Sequence, residues 1–409
     1  MSIKGKSSGA TGGEAELTPK LRFPEFQEVT GWDSRKVDDL VNTVTPFKKL
    51  QTSDYKPAGK FPIIDQSPDF ICGWTDDEEA VIEKGLPVIV FGDHTCTLKF
   101  VDRPFVQGAD GIKIIRPKRG IDARFLFCAL EAAPVKQEGY KRHFSILKEK
   151  KLTFPDFDTG EQQKIANCLG SVDELIAAQA RKVEALRSHK KGLMQRLFPQ
   201  EGETQPRRRF PEFEGAGEWE EKPIGDFGQV VTGSTPSTAD PTLYGGGIPF
   251  VSPADISELR YVDETKTTLT AAGYEKTRPI KARSVLFVCI GSTIGKIAQN
   301  VRHCATNQQI NAVIPNAKHS DGFVYFALSN ASERIALLAG RQAVPIINKS
   351  LFSSVRLLVP SLPEQKRIAD CLTSLDDLIA AESQKLGTLK THKRSLMQQL
   401  FPQIEEDDA

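Results

Sequence analysis

The segment from Glu161 to Gln200 is written a second time from Glu364 to Gln403, 203 positions later, with 23 positions identical. A long amphipathic segment that recurs while the stretches in front of it diverge marks a fixed frame carrying variable parts. A shorter repeat sets the period. Arg22-Phe23-Pro24-Glu25-Phe26 with Trp32 returns as Arg209-Phe210-Pro211-Glu212-Phe213 with Trp219, an offset of 187. The unit is therefore module then helix, twice, with the second module 16 residues longer between these anchors. Inside the modules the echoes are faint: Val88 to Thr95 parallels Val285 to Thr293, and Asp122 to Phe127 parallels Asp321 to Phe326.

In the first copy Ile165, Leu169, Val172, Ile176, Gln179, Val183, Leu186, Lys190, Leu193 and Leu197 follow alternating steps of four and three, the seam of a coiled coil. The second copy has Glu382 and Lys393 where the first has Gln179 and Lys190. Each helix would span roughly 55 Å at about 1.5 Å per residue. If the copies pair antiparallel about a pseudo-twofold, Glu382 is expected to face Lys190, and Gln179 to face Lys393. Polar seam residues of this kind specify one register at some cost in stability.

The domain reading that follows is a disordered leader over 1–20, a first module over 21–160, a spacer helix over 161–200, a linker over 201–208, a second module over 209–363, a second helix over 364–403 and an acidic tail over 404–409. The leader is rich in Gly, Ser, Thr and Glu without an apolar core, unlike a signal peptide or anchor. No run of about 18 apolar residues exists, so the chain is read as cytoplasmic. With 54 basic and 53 acidic residues, net charge gives no argument for nucleic acid.

Catalytic motifs are hard to find. Gly291-Ser292-Thr293-Ile294-Gly295-Lys296 is one residue too short between glycines for a phosphate-binding loop, and Ile297 stands where a Ser or Thr would hold magnesium. A strand-to-turn connection that offers Ser292, Thr293 and Lys296 to DNA is the better reading. Neither the six histidines nor the seven cysteines make a metal-ligand spacing, and no cysteine pair reads C-x-x-C. The Asn-Pro-Pro-aromatic and Asp-Pro-Pro-aromatic tetrapeptides of amino-methyltransferases are missing too. What remains is polar: basic clusters in both modules, each usually just a solvated face, and amides at Asn307, Gln308, Gln342 and Asn348. Side-chain amides pair two-pronged with adenine. For Asn307 and Asn348, turn capping is an equal alternative.

Taken together, Pro360-Ser361-Leu362-Pro363-Glu364-Gln365 opening a long helix, Thr235-Pro236-Ser237 followed by Gly245-Gly246-Gly247-Ile248-Pro249-Phe250, and Asn348-Lys349-Ser350-Leu351-Phe352 resemble the DNA specificity subunit of a Type I restriction-modification enzyme. The first module departs from this pattern: it lacks the Thr-Pro-Ser turn, and Asp156-Phe157-Asp158-Thr159-Gly160 replaces the Pro-linked helix start. The resemblance implies an α+β chain of two pseudo-symmetric mixed α/β target recognition domains, held apart by two long helices in an antiparallel coiled coil. Each domain would read half of a bipartite, asymmetric double-stranded DNA target. It further implies that two modification (methyltransferase) subunits bring S-adenosylmethionine, that restriction subunits bring ATP-driven cleavage with magnesium, and that this chain holds no cofactor or metal and is not itself an enzyme. Expected DNA contacts are Lys48, Lys56, Gln66, Asp93, His94, Thr95, Gln107, Asp110, Arg142 and His143 in the first module. In the second they are Thr235, Ser237, Ser252, Asp255, Ser292, Thr293, Lys296, Asn307, Gln308, Gln342 and Asn348. A coiled-coil scaffold with two protein-binding modules and no DNA role is the alternative.

Overall fold

A computed structural model describes residues 17–109, 111–139, 141–340 and 345–402. The expected contacts Asp110 and Gln342, most of the leader and the acidic tail lie outside the described residues. The leader reading is corrected at its end, because Leu17 bridges Trp32, whose N–H donates to the Leu17 carbonyl at 2.7 Å.

The repeats form two long helices, Glu161–Leu197 and Leu362–Leu400. No residue of either seam series is exposed, as the four-three spacing requires. The chain divides into two compact units that do not follow the linear order: residues 1–178 with 386–409, and residues 179–385. Each unit thus holds one module, the start of the helix that follows it and the end of the other helix.

In the first unit a four-stranded sheet runs in the order Val41–Val44, Ile112–Pro117, Val88–Gly92, Leu98–Val101. A second sheet runs Gly73–Thr75, Phe61–Ile64, Phe105–Gln107, Val81–Ile82. The second unit repeats this scheme with Gly228–Thr232, Ile310–Pro315, Val285–Val288 and Ile297–Asn300, extended by Tyr261–Val262. Its other sheet is Thr267–Leu269, Tyr244–Val251, Ala305–Thr306. Continuous apolar runs such as Val88-Ile89-Val90-Phe91 are buried on both faces, which is why they do not alternate.

Both sequence repeats meet inside each core. Arg22 forms a two-pronged ion pair with Glu161, Nε to Oε1 at 2.8 Å and Nη2 to Oε2 at 2.7 Å, and donates to the Val29 carbonyl. Arg209 does the same with Glu364 at 2.8 and 2.7 Å, and donates to the Ala216 carbonyl. The neighbouring glutamines reach the module helices. Gln162 Oε1 accepts from the N–H of Asp122, which caps helix Ala123–Ala132, and Gln365 Oε1 accepts from the N–H of Ser320, which caps helix Asp321–Asn330. The echo read between Asp122 and Asp321 is therefore one residue out of register, since the cap matching Asp122 is Ser320. The closing Leu-Phe-Pro-Gln repeats are crossed. Phe401 packs on Trp32 and Phe125 in the first unit, and Phe198 packs on Trp219 and Phe323 in the second.

The helix register differs from the expected one. Gln179 lies opposite Glu382, its Nε2 donating to Oε2 at 2.6 Å and to the Glu382 carbonyl at 2.9 Å, with Lys182 adding an ion pair to the same carboxylate. Lys190 pairs with Asp376, and Lys393 with Asp173 at 2.7 Å and Glu131 at 3.1 Å. Glu382 therefore does not face Lys190, nor Gln179 face Lys393. An antiparallel pairing of two copies must somewhere set a position against its own repeat. That position is 179 with 382, which places Lys190 eleven residues, roughly 16 Å, along the helix from Glu382.

Candidate nucleic-acid interface

The strand registers bring a set of loops to one end of each module. Val44 pairs with Ile114 and Gly92 with Ile112, so the loops after Val44 and Gly92 and the loop before Ile112 share one sheet edge. Ile64 pairs in parallel with Gln107, which adds the loop carrying Gln66. In the second module Thr232 pairs with Asn311 and Val288 with Ile310, gathering the loops at 233–238, 289–296 and 307–309. Val251 pairs with Thr306 and adds the turn at Ser252.

The second edge is built tightly. Gly233 approaches the backbone so closely that a Cβ there would sit 2.1 Å from the Asn307 carbonyl oxygen, so only glycine fits. Ser234 N–H donates to the Thr306 carbonyl, and Thr235 Oγ1 then meets Gln308 Oε1 at 2.8 Å, both side chains in solvent. Asn307 pairs with Gln309, whose Nε2 reaches the Ile290 carbonyl at 3.4 Å. Beneath them buried Asn311 accepts from Thr232 at 2.6 Å and donates to Cys289 Sγ at 3.2 Å, and burial pushes the Cys289 thiol up to about 12, far from a nucleophilic range. Gly291 and Gly295, at φ 97° and 95°, make Ser292 to Lys296 a turn between two antiparallel strands. No helix follows it, so its backbone cannot cradle a nucleotide phosphate as a strand-loop-helix does.

Several expected contacts are instead internal. Asp93 is buried and its carboxylate accepts from the N–H groups of His143 and Phe144 at 2.9 and 2.8 Å. His143 is buried and accepts from Glu138 N–H at Nε2. Both side chains are thus turned inward and spent on backbone N–H groups. Gln107 is buried within its strand. Gln66 accepts from His94 N–H with its side chain and from Thr95 Oγ1 with its carbonyl. Asp255 closes a turn on Ser252 N–H and Oγ and on Lys266 N–H. Asn348 caps helix Lys349–Ser354 through Leu351 N–H, so the capping alternative holds there. Polar residues at turns and caps look alike in sequence whether they serve the backbone or a ligand.

The remaining expected residues stand at or near the edges. Arg142, Ser237, Ser292 and Lys296 are exposed, Lys296 resting on the Ile256 carbonyl at 3.3 Å. His94 Nδ1 meets the Lys141 carbonyl at 3.2 Å. Lys56 pairs with Asp76 at 2.9 Å and Lys48 with Asp77 at 2.6 Å, and that hydrogen bond raises the Lys48 amine above its ordinary range. One feature escaped the sequence reading. By register Val41–Val44 matches the first four residues of Gly228–Thr232, and Thr45-Pro46-Phe47 leaves that strand at the same sheet end as Thr235-Pro236-Ser237 leaves its own, three residues closer to the strand. The Thr-Pro dipeptide was the available signal.

Two α/β modules that share a scheme, differ in their loop edges and lock onto a repeated helical frame define a two-module protein. Residues 216–391 match the Type I restriction modification DNA specificity domain. The chain is 32% identical over 148 residues to the specificity subunit of the Type I restriction enzyme HindI of Haemophilus influenzae, covering 35% of this chain and 32% of that one. It is 28% identical over 358 residues to the EcoR124I/EcoR124II specificity subunit of Escherichia coli, covering 81% and 84%. The first match thus spans about a third of that relative's length and the second most of it. The crystal structure of the S subunit from the Type I restriction-modification system of M. genitalium shares the fold at a TM-score of 0.64 and 18% identity, over 95% of this chain and 100% of that one. Over most of its length the chain is thus similar to Type I restriction-modification specificity subunits. Among the described residues no helix is long and apolar enough to cross a membrane, and no three His, Cys, Asp or Glu side chains gather as a metal site.

Proposed function

We propose that this chain is the sequence-reading subunit of a DNA restriction-modification assembly in the cytoplasm. Each module reads one half of a bipartite duplex target through its loop edge, and the paired helices carry the methyltransferase and restriction subunits. Methyl transfer with S-adenosylmethionine, and ATP- and magnesium-dependent cleavage, fall to those partners. The observation that carries the reading is the recurrence of loop-lined edges at equivalent sheet ends, with the exposed Thr235–Gln308 pair at the centre of one of them. Base edges in a major groove are read by such hydroxyl and amide groups.

The test is duplex binding at two salt concentrations. Neutralising phosphates releases counterions, so a DNA reader loses affinity steeply as salt rises. Binding indifferent to salt, or none, would return the chain to the scaffold class. Mapping methylated adenines in cells that carry this chain with its partner subunits would then give the two half-sites.

A further inference from the structure

Phe47 is 93% exposed, more than any other large apolar side chain among the described residues. A lone exposed apolar residue is ordinary on a protein surface. Phe47 is singled out by its position and its support. It lies on the loop that leaves Val44, at the sheet edge shared with the loops of Gln66, His94 and Thr95. The loop is braced on both sides. Pro46 fixes the backbone before the ring, and after it Lys48 is paired to Asp77 and buried Leu50 donates its N–H to the Gln107 carbonyl at 3.1 Å. The second module has a parallel: Leu337, 84% exposed, follows helix Ser332–Ala336, whose Ser332 and Ala336 lie against Gly295 of the hairpin turn.

A phosphate has nothing to offer an aromatic ring, and the hydrogen-bonding edges of bases offer little more. The apolar feature of the major groove is the C5 methyl group of thymine. We propose that Phe47 is a specificity-determining residue that packs against a thymine methyl in the half-site read by the first module. The proposal rests on the DNA-reading function above and names one contact within it.

The experiment uses the full chain. Sequences bound from a pool of random duplexes are recovered, and each thymine of the selected duplex is then replaced singly by uracil, which removes only the methyl group. At one position of one half-site, uracil is expected to weaken binding by roughly fourfold, the worth of about one buried methyl. Phe47→Ala should bind the thymine and uracil duplexes equally while keeping its affinity for unselected duplex. Phe47→Leu, still apolar, should keep part of the preference. A Phe47→Ala protein that retains every thymine preference, a target with no uracil-sensitive position in either half, or a fall in melting temperature that marks Phe47 as a packing residue would each overturn the assignment. Absence of any salt-dependent duplex binding by the unmutated chain would overturn the DNA reading itself and this inference with it.

Discussion

Arg22 and Glu161, 139 residues apart in sequence, form a two-pronged ion pair in which the carboxylate side chain is only 1% exposed. Arg209 and Glu364 form the same pair in the second unit. The two repeats found in the sequence are thus the two halves of one joint, which fastens the start of a module to the start of the helix that follows it.

Cutting that joint leaves a buried charge without its partner. Arg22→Met should destabilise the protein by about 3–5 kcal/mol, whereas Arg22→Met with Glu161→Leu should recover much of the loss, because a buried pair replaced by apolar groups is often nearly neutral. Chemical denaturation followed by fluorescence of Trp32, which lies in the same core, measures both.

The helix register makes a pairwise prediction. Lys190→Glu sets two carboxylates together at Asp376, and Asp376→Lys should restore the pair with a coupling of about 0.5–3 kcal/mol. Glu382→Lys should not rescue it. Thermal unfolding of the two double mutants distinguishes the registers.

Hydrogen bonds from Lys182 and then Gln179 hold the Glu382 carboxyl below its ordinary value of 4.5. A carboxyl whose folded pKa is lowered contributes stability above its unfolded pKa and loses it as pH falls through the folded one. Stability measured between about pH 6 and pH 3 should therefore decline less steeply in Glu382→Gln than in the unmutated chain.

Asp93 and Gln308 should separate stability from recognition. Asp93→Ala removes the acceptor of the buried His143 N–H and the half-buried Phe144 N–H and should cost about 1–3 kcal/mol in unfolding free energy. Gln308→Ala should leave unfolding unchanged and relax preference at one target position by about 1–3 kcal/mol. Parallel melts and binding to single-base variants of the target check both.

The proposed function places Lys296 against the DNA backbone. Lys296→Ala should weaken binding to all duplexes and reduce the salt dependence by about one unit of slope, with sequence preference intact. A change of preferred base at any position would reassign Lys296 to base reading.

The frame was legible in the sequence because it is written twice. The seam, the module period and the amphipathic helices follow from spacing alone. Register was not legible, because Glu382 opposite Lys190 and Glu382 opposite Gln179 are equally plausible as charges and amides, and only the packed pair selects between them. The loop edges were harder still. Asp93, Asp255 and Asn348 satisfy backbone N–H groups in the structure, and nothing in their residue type separates that task from holding a base. Thr45-Pro46 was not legible because the following Phe47 breaks the Thr-Pro-Ser wording, and strand register sets it three residues nearer its strand than Thr235-Pro236, though at the same sheet end.

The packing of Phe401 on Trp32 has a consequence for how the chain is made. Synthesis delivers the first module early, yet its aromatic core lacks a ring until nearly four hundred residues have been added. The second module has Phe198 in hand before Trp219 appears and needs, beyond its own strands, only the first turns of the helix that follows them, Ile368 and Leu372 included. A ribosome moving from the amino end would then finish the later module first, and the earlier one, with apolar surface still open, would depend on the last turn of the last helix.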